Sequence, residues 1–241
     1  MGATVCDAVV GDPLTELVAV VDTGAAGATS HGLVISDDPS SVISAGVDVV
    51  VDFTVLDAAR SNLVLLADAG VHAVVGTTGF SESDLESFRS AFTTSNCLLA
   101  PNFAIGAVLM MRFAELAAPY FEAAEVIELH HDQKIDAPSG TAMRTLERMA
   151  AASQDWVVDP TEKEVVDGAR GGKGPGGIPV HSVRLRGLVA HQEVLLGTTG
   201  QSLTIRHDSY DRSSFMPGVL LAVKNVADRP GVTVGLDDLL F

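Results

Sequence analysis

The fold is decided by the stretch 47-VDVVVDFTVLDAARSNLVLLADAGVHAVVGTTGF-80. It contains two almost continuously apolar, β-branched runs, Val47–Phe53 and Val71–Val75, which are typical of strands covered on both faces. Between them, Leu56–Ala69 repeats its small and apolar residues about every 3.6 positions, which predicts a helix. A strand, a helix and a second buried strand in this order predict a right-handed crossover within a parallel sheet.

The same alternation extends on both sides of this stretch. Leu17–Val21 and Cys97–Ala100 predict two more strands of the sheet. Glu82–Phe92 predicts another helix, with Ser81 as its N-cap and Asp84 three residues later. The first half of the chain is therefore predicted to be a Rossmann-like domain, in which ligands bind at the carboxyl ends of the strands.

Three of the predicted strand ends carry residues suited to a nucleotide. Asp22 could accept hydrogen bonds from an adenosine ribose, or it could be a turn aspartate before Thr23-Gly24. The glycines and threonines of Gly76-Thr77-Thr78-Gly79-Phe80 could let a ligand approach the backbone, or could form an ordinary turn before a helix. In Ala100-Pro101-Asn102-Phe103, the asparagine could hold a carboxamide or cap the next helix.

The start of the chain departs from the usual dinucleotide-binding pattern. That pattern opens with a strand and a glycine-rich turn, whereas Met1-Gly2-Ala3-Thr4-Val5 runs straight into a predicted helix. We expect Gly2 to be the last glycine of such a turn, and the chain to begin at an internal methionine of a longer reading frame. Upstream coding DNA without an apolar strand and a glycine-rich turn would contradict this expectation.

The pattern changes after Asn102. The predicted elements are, in order, a helix over Ile105–Phe121, a strand over Ala124–His131, a helix over Gly140–Ala152 with Ser139 as N-cap, a glycine-rich loop or lid over residues 153–179, three antiparallel strands over Val180–Leu188, Val189–Gly197 and Ser202–Asp208, a helix over Phe215–Val226 and a short β-like end. The chain is therefore predicted to be α/β. We expect a Rossmann-like dinucleotide-binding domain over residues 1–102 and 212–241, and an α+β domain with an open mixed sheet over residues 103–211.

Proton-handling groups are concentrated in the stretch 128-ELHHDQKIDAPSGTA-142. His130 and His131 can exchange protons near neutral pH. Neighbours on a strand face opposite ways, so the two histidines share a role only if the strand ends there. Lys134 supplies a compact cation for a carboxylate, although with Asp136 it could instead form a plain surface pair.

The helix that follows begins with groups that suit an anion. Ser139-Gly140-Thr141 presents backbone N–H groups and hydroxyls at a helix N-terminus. Such local groups are needed to bind an anionic substrate, because the formal net charge of −16 opposes it. The stretch is therefore the candidate site for proton transfer beside an anionic ligand, and it lacks a third suitably spaced ligand for a metal.

Composition excludes several functional classes. The net charge of −16 argues against nucleic acids and anionic membrane surfaces as partners. No apolar run approaches the roughly 18 residues of a membrane span, and no signal-peptide pattern opens the chain. Cys6 and Cys97 match neither a metal site nor a disulfide framework. These features predict a cytoplasmic protein without a metal.

The stretch 128–142 resembles the active-site signature of the dihydrodipicolinate reductases, also called 4-hydroxy-tetrahydrodipicolinate reductases. Gly76–Phe80, Ala100–Phe103, Gly187–Val194 and Arg206–Ser209 also resemble that family. The resemblance covers almost the whole chain and looks closest to actinobacterial members. It implies an oxidoreductase that reduces 4-hydroxy-tetrahydrodipicolinate with NADH or NADPH in diaminopimelate and lysine biosynthesis.

The resemblance also implies a role for each candidate residue. His130 would be the catalytic acid/base and Lys134 a second proton donor. The carboxylates of a small dicarboxylate substrate would be held by His131, Gly140 and Thr141. Cofactor contacts are implied at Asp22, Gly76, Thr77, Thr78, Ala100, Pro101, Asn102 and Phe103.

The resemblance further implies a homotetramer built through the predicted antiparallel sheet, with hinges near Asn102–Phe103 and Asp211–Ser214. Asp132 and Gln133 stand where family members often have basic or histidine residues, which predicts a weaker local positive field.

Two other interpretations remain open. One is another nicotinamide oxidoreductase of a small acid, which a substrate panel would separate. The other is a non-catalytic or truncated nucleotide-binding homologue, against which the intact pair of His130 and Lys134 argues.

Overall fold

The computed structural model describes all residues from Met1 to Phe241. The chain forms two compact units, and each is described by itself. Unit 1 comprises Met1–Ile105 and Arg212–Phe241, and unit 2 comprises Gly106–Asp211. No helix combines the length and the apolar character needed to cross a membrane.

The helices and strands follow each other in the order that the sequence pattern largely predicts. The helices are α1 Gly2–Gly11, α2 Ser41–Ser44, α3 Leu56–Ala69, α4 Glu82–Ala91, α5 Ile105–Ala117, α6 Gly140–Ala152, α7 Met216–Asn225 and α8 Asp237–Leu240. The strands are β1 Thr29–Ser30, β2 Leu33–Val34, β3 Val49–Asp52, β4 His72–Val75, β5 Cys97–Leu99, β6 Ala123–His130, β7 Gly172–Lys173, β8 Pro179–Arg184, β9 Ala190–Thr198, β10 Gln201–Ser209 and β11 Val232–Val234. Short 3-10 turns lie at Ala118–Tyr120, Pro175–Gly177, Arg212–Phe215 and Val226–Asp228.

Unit 1 is built on a four-stranded sheet in the order β11-β5-β4-β3, in which every neighbouring pair is parallel. Its core packs the apolar face of α3 against the buried strand residues, as the spacing predicts. The predicted N-cap of α4 is confirmed as a capping box, because Asp84 N donates to Ser81 Oγ at 3.2 Å and Ser81 N donates to Asp84 Oδ2 at 2.8 Å.

The prediction of a sheet strand over Leu17–Val21 is wrong. Only a single bridge joins Val21 to Ser36, where Asp22 N donates to Ser36 O and Ser36 N donates to Val20 O. A strand requires a ladder of such bonds along a neighbour. This segment pairs with an irregular loop rather than with β3, so its apolar character reflects packing against the core and not membership of the sheet.

The C-terminal segment returns to unit 1 and completes its sheet. There, the β-like end that the sequence predicts forms β11, which lies beside β5. The side chain of Asn96 fixes this return, because its Nδ2 donates to the carbonyls of Val226 and Ala227 and its Oδ1 accepts from Gly231 N. One half-buried side-chain amide therefore binds three backbone groups of the returning segment.

Unit 2 contains a five-stranded mixed sheet in the order β10-β9-β6-β8-β7. The prediction of three consecutive antiparallel strands is wrong in one respect, because β6 lies between β8 and β9 and pairs in parallel with β8. The connection between β8 and β9 crosses the end of β6, where Leu185 N donates to His130 O and His131 N donates to Val189 O. Alternation along a strand reveals its faces but not its neighbours, so the sequence pattern could not detect this crossing.

Residues 153–179, predicted as a loop or lid, contain some regular secondary structure. They include the edge strand β7 and a 3-10 turn at Pro175–Gly177. Within the turn, Gly176 adopts φ +68, and an added Cβ would lie 3.0 Å from the Cβ of Ala150 on α6. The glycines here therefore allow a close approach to a helix.

The packing of α7 in unit 1 gives a test of the fold. A Cβ added to Gly218 would lie 2.0 Å from the carbonyl oxygen of Phe103, so a side chain there forces the backbone apart. We expect Gly218→Ala to lower the free energy of unfolding by about 1–3 kcal/mol, measured by urea denaturation. The matched control is Gly11→Ala in α1, where no atom lies within 4 Å of the added Cβ. Equal stability of the two variants would contradict this packing.

Candidate active site

Strand β6 places Glu128 and His130 on one face. Burial alternates along the strand, and Val126 and Glu128 are both fully buried on the face that α6 covers. Because side chains two positions apart point the same way, His130 continues this row at the end of the strand. The sequence therefore places a carboxylate in an apolar row, two residues before the predicted acid/base.

Glu128 is held by a bidentate pair with Arg184 on the neighbouring strand β8. Arg184 Nη1 donates to Glu128 Oε2 at 2.9 Å, and Nη2 donates to Oε1 at 2.8 Å. Burial of Glu128 raises its pKa, but hydrogen bonds from His130, Arg184 and Ser182 outweigh burial and lower the pKa to about 2. Glu128 is therefore an ionised carboxylate across the physiological pH range.

The orientation of His130 follows from this charge. His130 Nδ1 lies 2.5 Å from Glu128 Oε2. An ionised carboxylate can only accept hydrogen bonds, so Nδ1 carries the proton and donates. His130 Nε2 makes no hydrogen bond within the chain and is left as the atom that can take or release a proton. The side chain of His130 is 14% exposed, so it is largely shielded from solvent but can still be reached by a ligand.

The loop after β6 carries the next predicted site residues. The strand ends at His130, which satisfies the condition for adjacent histidines to act at one site. His131 is exposed and its Nδ1 accepts from Gln133 N at 3.2 Å. Lys134 Nζ donates to both oxygens of Asp136, at 2.7 and 2.9 Å, so the surface pair considered from the sequence is present.

The loop ends at the N-terminus of α6, where the predicted N-cap is confirmed. Ala142 N donates to Ser139 Oγ at 3.2 Å, and Ser139 N donates to Glu128 Oε1 at 3.2 Å. Gly140 and Thr141 form the first turn of α6, and the N–H groups of a first helical turn point toward the N-terminal end of the helix. The carboxylate of Glu128 therefore contacts both His130 and the residue that caps the N-terminus of α6.

The predicted cofactor residues of unit 1 separate into two groups. The turn after β4 and the end of β5 line an open cavity of about 150 Å³ together with Leu85 and Val234. From the predicted set, the cavity is lined by Thr77, Thr78, Ala100 and Pro101. Gly76 precedes the lining, and a Cβ on it would lie 2.0 Å from the ring of Phe53, so a larger residue at this position would have to displace that ring.

The other predicted cofactor residues lie outside the lining of this cavity. Asp22 is exposed, and its Oδ1 accepts from Gly24 N at 2.8 Å, which is the turn geometry weighed from the sequence. Asn102 Oδ1 accepts from Ala104 N at 2.8 Å just before α5. Phe103 is buried, with its ring centroid 5.6 Å from that of Phe53.

Sequence reasoning assigned no role to several residues that organise these sites. Two of these residues are Glu128 and Arg184. The sequence does mark Glu128, because it is a charged residue two positions before His130 in an otherwise apolar row. Asp52 is another, at the end of β3, where its buried carboxylate accepts from Thr54 N at 2.8 Å and from Asn62 Nδ2 at 2.8 Å. The sequence marks Asp52 as an acidic residue at the end of a predicted strand.

Comparison with known proteins covers both units. A family model described as "Dihydrodipicolinate reductase, N-terminus" matches residues 1–103, and one described as "Dihydrodipicolinate reductase, C-terminus" matches residues 106–240. The 4-hydroxy-tetrahydrodipicolinate reductase of Nocardia farcinica is 53% identical over 247 residues, covering 100% of this chain and 94% of that protein. The protein of the same name from Mycolicibacterium vanbaalenii is 54% identical over 213 residues, covering 87% of this chain and 86% of that protein.

A solved structure supports the same relationship. Dipicolinate-bound dihydrodipicolinate reductase from Paenisporosarcina sp. TG-14 matches with a TM-score of 0.90 and 41% identity, over 99% of this chain and 95% of that one. The Rossmann-like parallel sheet and the mixed-sheet unit predicted from the sequence are thereby confirmed. The chain belongs to the dihydrodipicolinate reductase family, and the oxidoreductase class predicted from its motifs is confirmed with it.

Proposed function

We propose that this chain reduces 4-hydroxy-tetrahydrodipicolinate to tetrahydrodipicolinate with NADH or NADPH, a step of diaminopimelate and lysine biosynthesis. The observation that carries the proposal is the imidazole of His130, held at Nδ1 by a buried carboxylate and followed by Lys134 and the N-terminus of α6. Family membership supports the reaction, and the dipicolinate in the related structure supports a small dicarboxylate as the ligand.

The substrate carboxylates would be held by the loop and by the start of α6. The first-turn N–H groups of Gly140 and Thr141 and the partial positive charge of the helix N-terminus suit one carboxylate. His131 is exposed at the start of the loop that leads to α6 and would supply a further hydrogen bond. Lys134 supplies the cation, which it now shares with Asp136. A substrate carboxylate would therefore compete with Asp136 for the ammonium group.

The proton chemistry is assigned to His130. The names of substrate and product differ by the 4-hydroxyl group. That group leaves as water together with a proton from the adjacent ring carbon, and the ring then gains a hydride at C4 and a proton at the same adjacent carbon. When bound, the nicotinamide cofactor supplies the hydride. His130 Nε2 supplies the proton, because Nδ1 is committed to Glu128. Lys134 serves as the second proton donor.

The residues of unit 1 fit a nicotinamide nucleotide. The cavity lies at the carboxyl ends of two parallel strands, where such ligands bind, and Thr77 and Thr78 line it together with apolar side chains such as Leu85 and Val234. The glycine at position 76 keeps this turn close to Phe53. We assign further cofactor contacts to Asp22, Asn102 and Phe103. Asp22 has a second carboxylate oxygen that could accept from a ribose hydroxyl.

The wider biological context follows from the same proposal. We assign dinucleotide binding to residues 1–102 and 212–241, and substrate binding to residues 103–211. We further propose a cytoplasmic homotetramer that assembles through the mixed sheet of unit 2. Half-exposed or exposed side chains along the edge strand β10 are consistent with such a contact.

Replacing the proposed acid/base tests the assignment. We expect His130→Gln to fold normally and to lower kcat on the order of 10²–10⁴-fold, because a positioned proton donor contributes about that much. The measurement is the rate of cofactor oxidation with 4-hydroxy-tetrahydrodipicolinate, with circular dichroism as the control for folding. Near-normal turnover would refute the role of His130.

Releasing Lys134 from its carboxylate tests the substrate site. We expect Asp136→Asn to tighten dipicolinate binding several-fold, because the ammonium group no longer has a competing carboxylate within the loop. The measurement is the dissociation constant from calorimetry. The matched control is Asp132→Asn, which removes an equal charge from the same loop but releases Arg186 instead. If both variants tighten binding equally, general charge and not Lys134 is responsible.

A further inference from the structure

We infer that Glu128, together with Arg184, is the positioning residue of this active site. It holds the proton-transfer imidazole in one tautomer and ties that imidazole to the N-terminus of α6. This inference rests on the proposed function, because the proton acceptor and the anion site that it joins are those of the proposed reaction. Glu128 itself would touch no substrate.

The first argument is the burial of an ionised group. Glu128 is 0% exposed, and a buried charge is costly unless paired and hydrogen-bonded. The chain surrounds it with a bidentate guanidinium, a hydroxyl from Ser182, the ring of His130 and the N–H group of Ser139. Buried ion pairs of this kind are often no more stabilising than apolar residues of equal volume. Valine fills the same face at position 126, so stability alone gives no reason for a carboxylate.

The second argument is the control of the tautomer. A neutral imidazole carries its proton on either ring nitrogen, and a partner at one nitrogen decides which. The carboxylate at Nδ1 fixes the proton there and leaves Nε2 as the reacting atom. The same negative charge stabilises the imidazolium form, as the aspartate of a serine-protease triad does for its histidine.

The third argument is the closure of the loop. Glu128 contacts His130 at the start of the segment and Ser139 N at its end. Arg184 Nη2 donates both to Glu128 Oε1 and to the carbonyl of Asp136 within the loop. The ion pair of Glu128 and Arg184 therefore makes hydrogen bonds to both ends of the segment that carries His131 and Lys134, and to one carbonyl within it. Loss of the negative charge alone would release the imidazole, whereas an acceptor oxygen at this position keeps the loop attached through Ser139 N and Arg184.

Strand β6 supplies its own matched control. Glu125 also lies on β6, on the opposite face, and also binds an arginine and a histidine. Arg170 Nη2 lies 2.7 Å from Glu125 Oε1, and His181 Nε2 lies 2.8 Å from Oε2. The two glutamates thus share partner types and strand, but only Glu128 contacts the proposed acid/base.

The experiment compares Glu128→Gln with Glu125→Gln in the full-length chain. Glutamine keeps one acceptor oxygen for Arg184 and Ser139 N, but its amide nitrogen cannot accept from the Nδ1–H group. We expect kcat to fall on the order of 10²-fold in Glu128→Gln, with the dissociation constant of dipicolinate changed by less than about threefold. We expect Glu125→Gln to keep its kcat.

The ring nitrogens of His130 give a readout that does not depend on turnover. In uniformly ¹⁵N-labelled protein, at a pH where the ring is neutral, the unaltered chain should show only the Nδ1–H tautomer. In Glu128→Gln, both tautomers should be present. A wild-type kcat in Glu128→Gln, an equal loss in Glu125→Gln, or an Nε2–H tautomer in the unaltered chain would each overturn the inference. The last measurement applies even if Glu128→Gln fails to fold. Absence of turnover in the unaltered chain would instead refute the proposed function.

Discussion

The site of unit 2 depends on one interaction, the ion pair of Glu128 and Arg184. A fully buried carboxylate must find partners, and those available at the ends of β6 and β8 are a guanidinium, an imidazole and the N–H group before a helix. Because all three groups converge on one side chain, the proton-transfer atom and the anion site are placed by the same contact. The depressed pKa of Glu128 also gives a contribution to stability that is complete at neutral pH. That contribution is lost as the pH falls below the ordinary range of glutamate toward 2.

The fold provides this interaction through the register of its mixed sheet. Parallel pairing sets His130 opposite Arg184 and Glu128 opposite Ser182, while antiparallel pairing on the other side sets Gln192 opposite Glu128. Gln192 continues the polar row, since its Nε2 donates to Thr145 Oγ1 at 2.7 Å, and Thr145 Oγ1 donates to the carbonyl of Thr141. A second set of hydrogen bonds therefore reaches the start of α6 from the opposite side of β6. Both sets would be lost if β8 and β9 were direct neighbours.

The sequence predicted most of the elements but few of their contacts. The spacing of apolar residues located α3 and α6 to the residue, and the turn chemistry located the N-caps Ser81 and Ser139, because those signals are local. The position of β6 between β8 and β9 was missed, because pairing depends on distant segments. Leu17–Val21 has the apolar composition of a strand, but it packs against the core without a ladder of hydrogen bonds. Motifs point to His130 and Lys134, whereas the local signal for Glu128 is only its place in an apolar row, and its partner Arg184 lies far away in the sequence.

We propose that a dicarboxylate binds where Lys134, the loop and the N-terminus of α6 meet. Chemical-shift mapping of the backbone amides with dipicolinate is the sharpest test of this proposal. We expect the largest shifts at Lys134, Gly140 and Thr141, as the ammonium group leaves Asp136 and a carboxylate binds at the first turn of α6. Shifts centred instead on the cleft lined by Trp156 and Arg170 elsewhere in unit 2, with Gly140 and Thr141 unmoved, would contradict it.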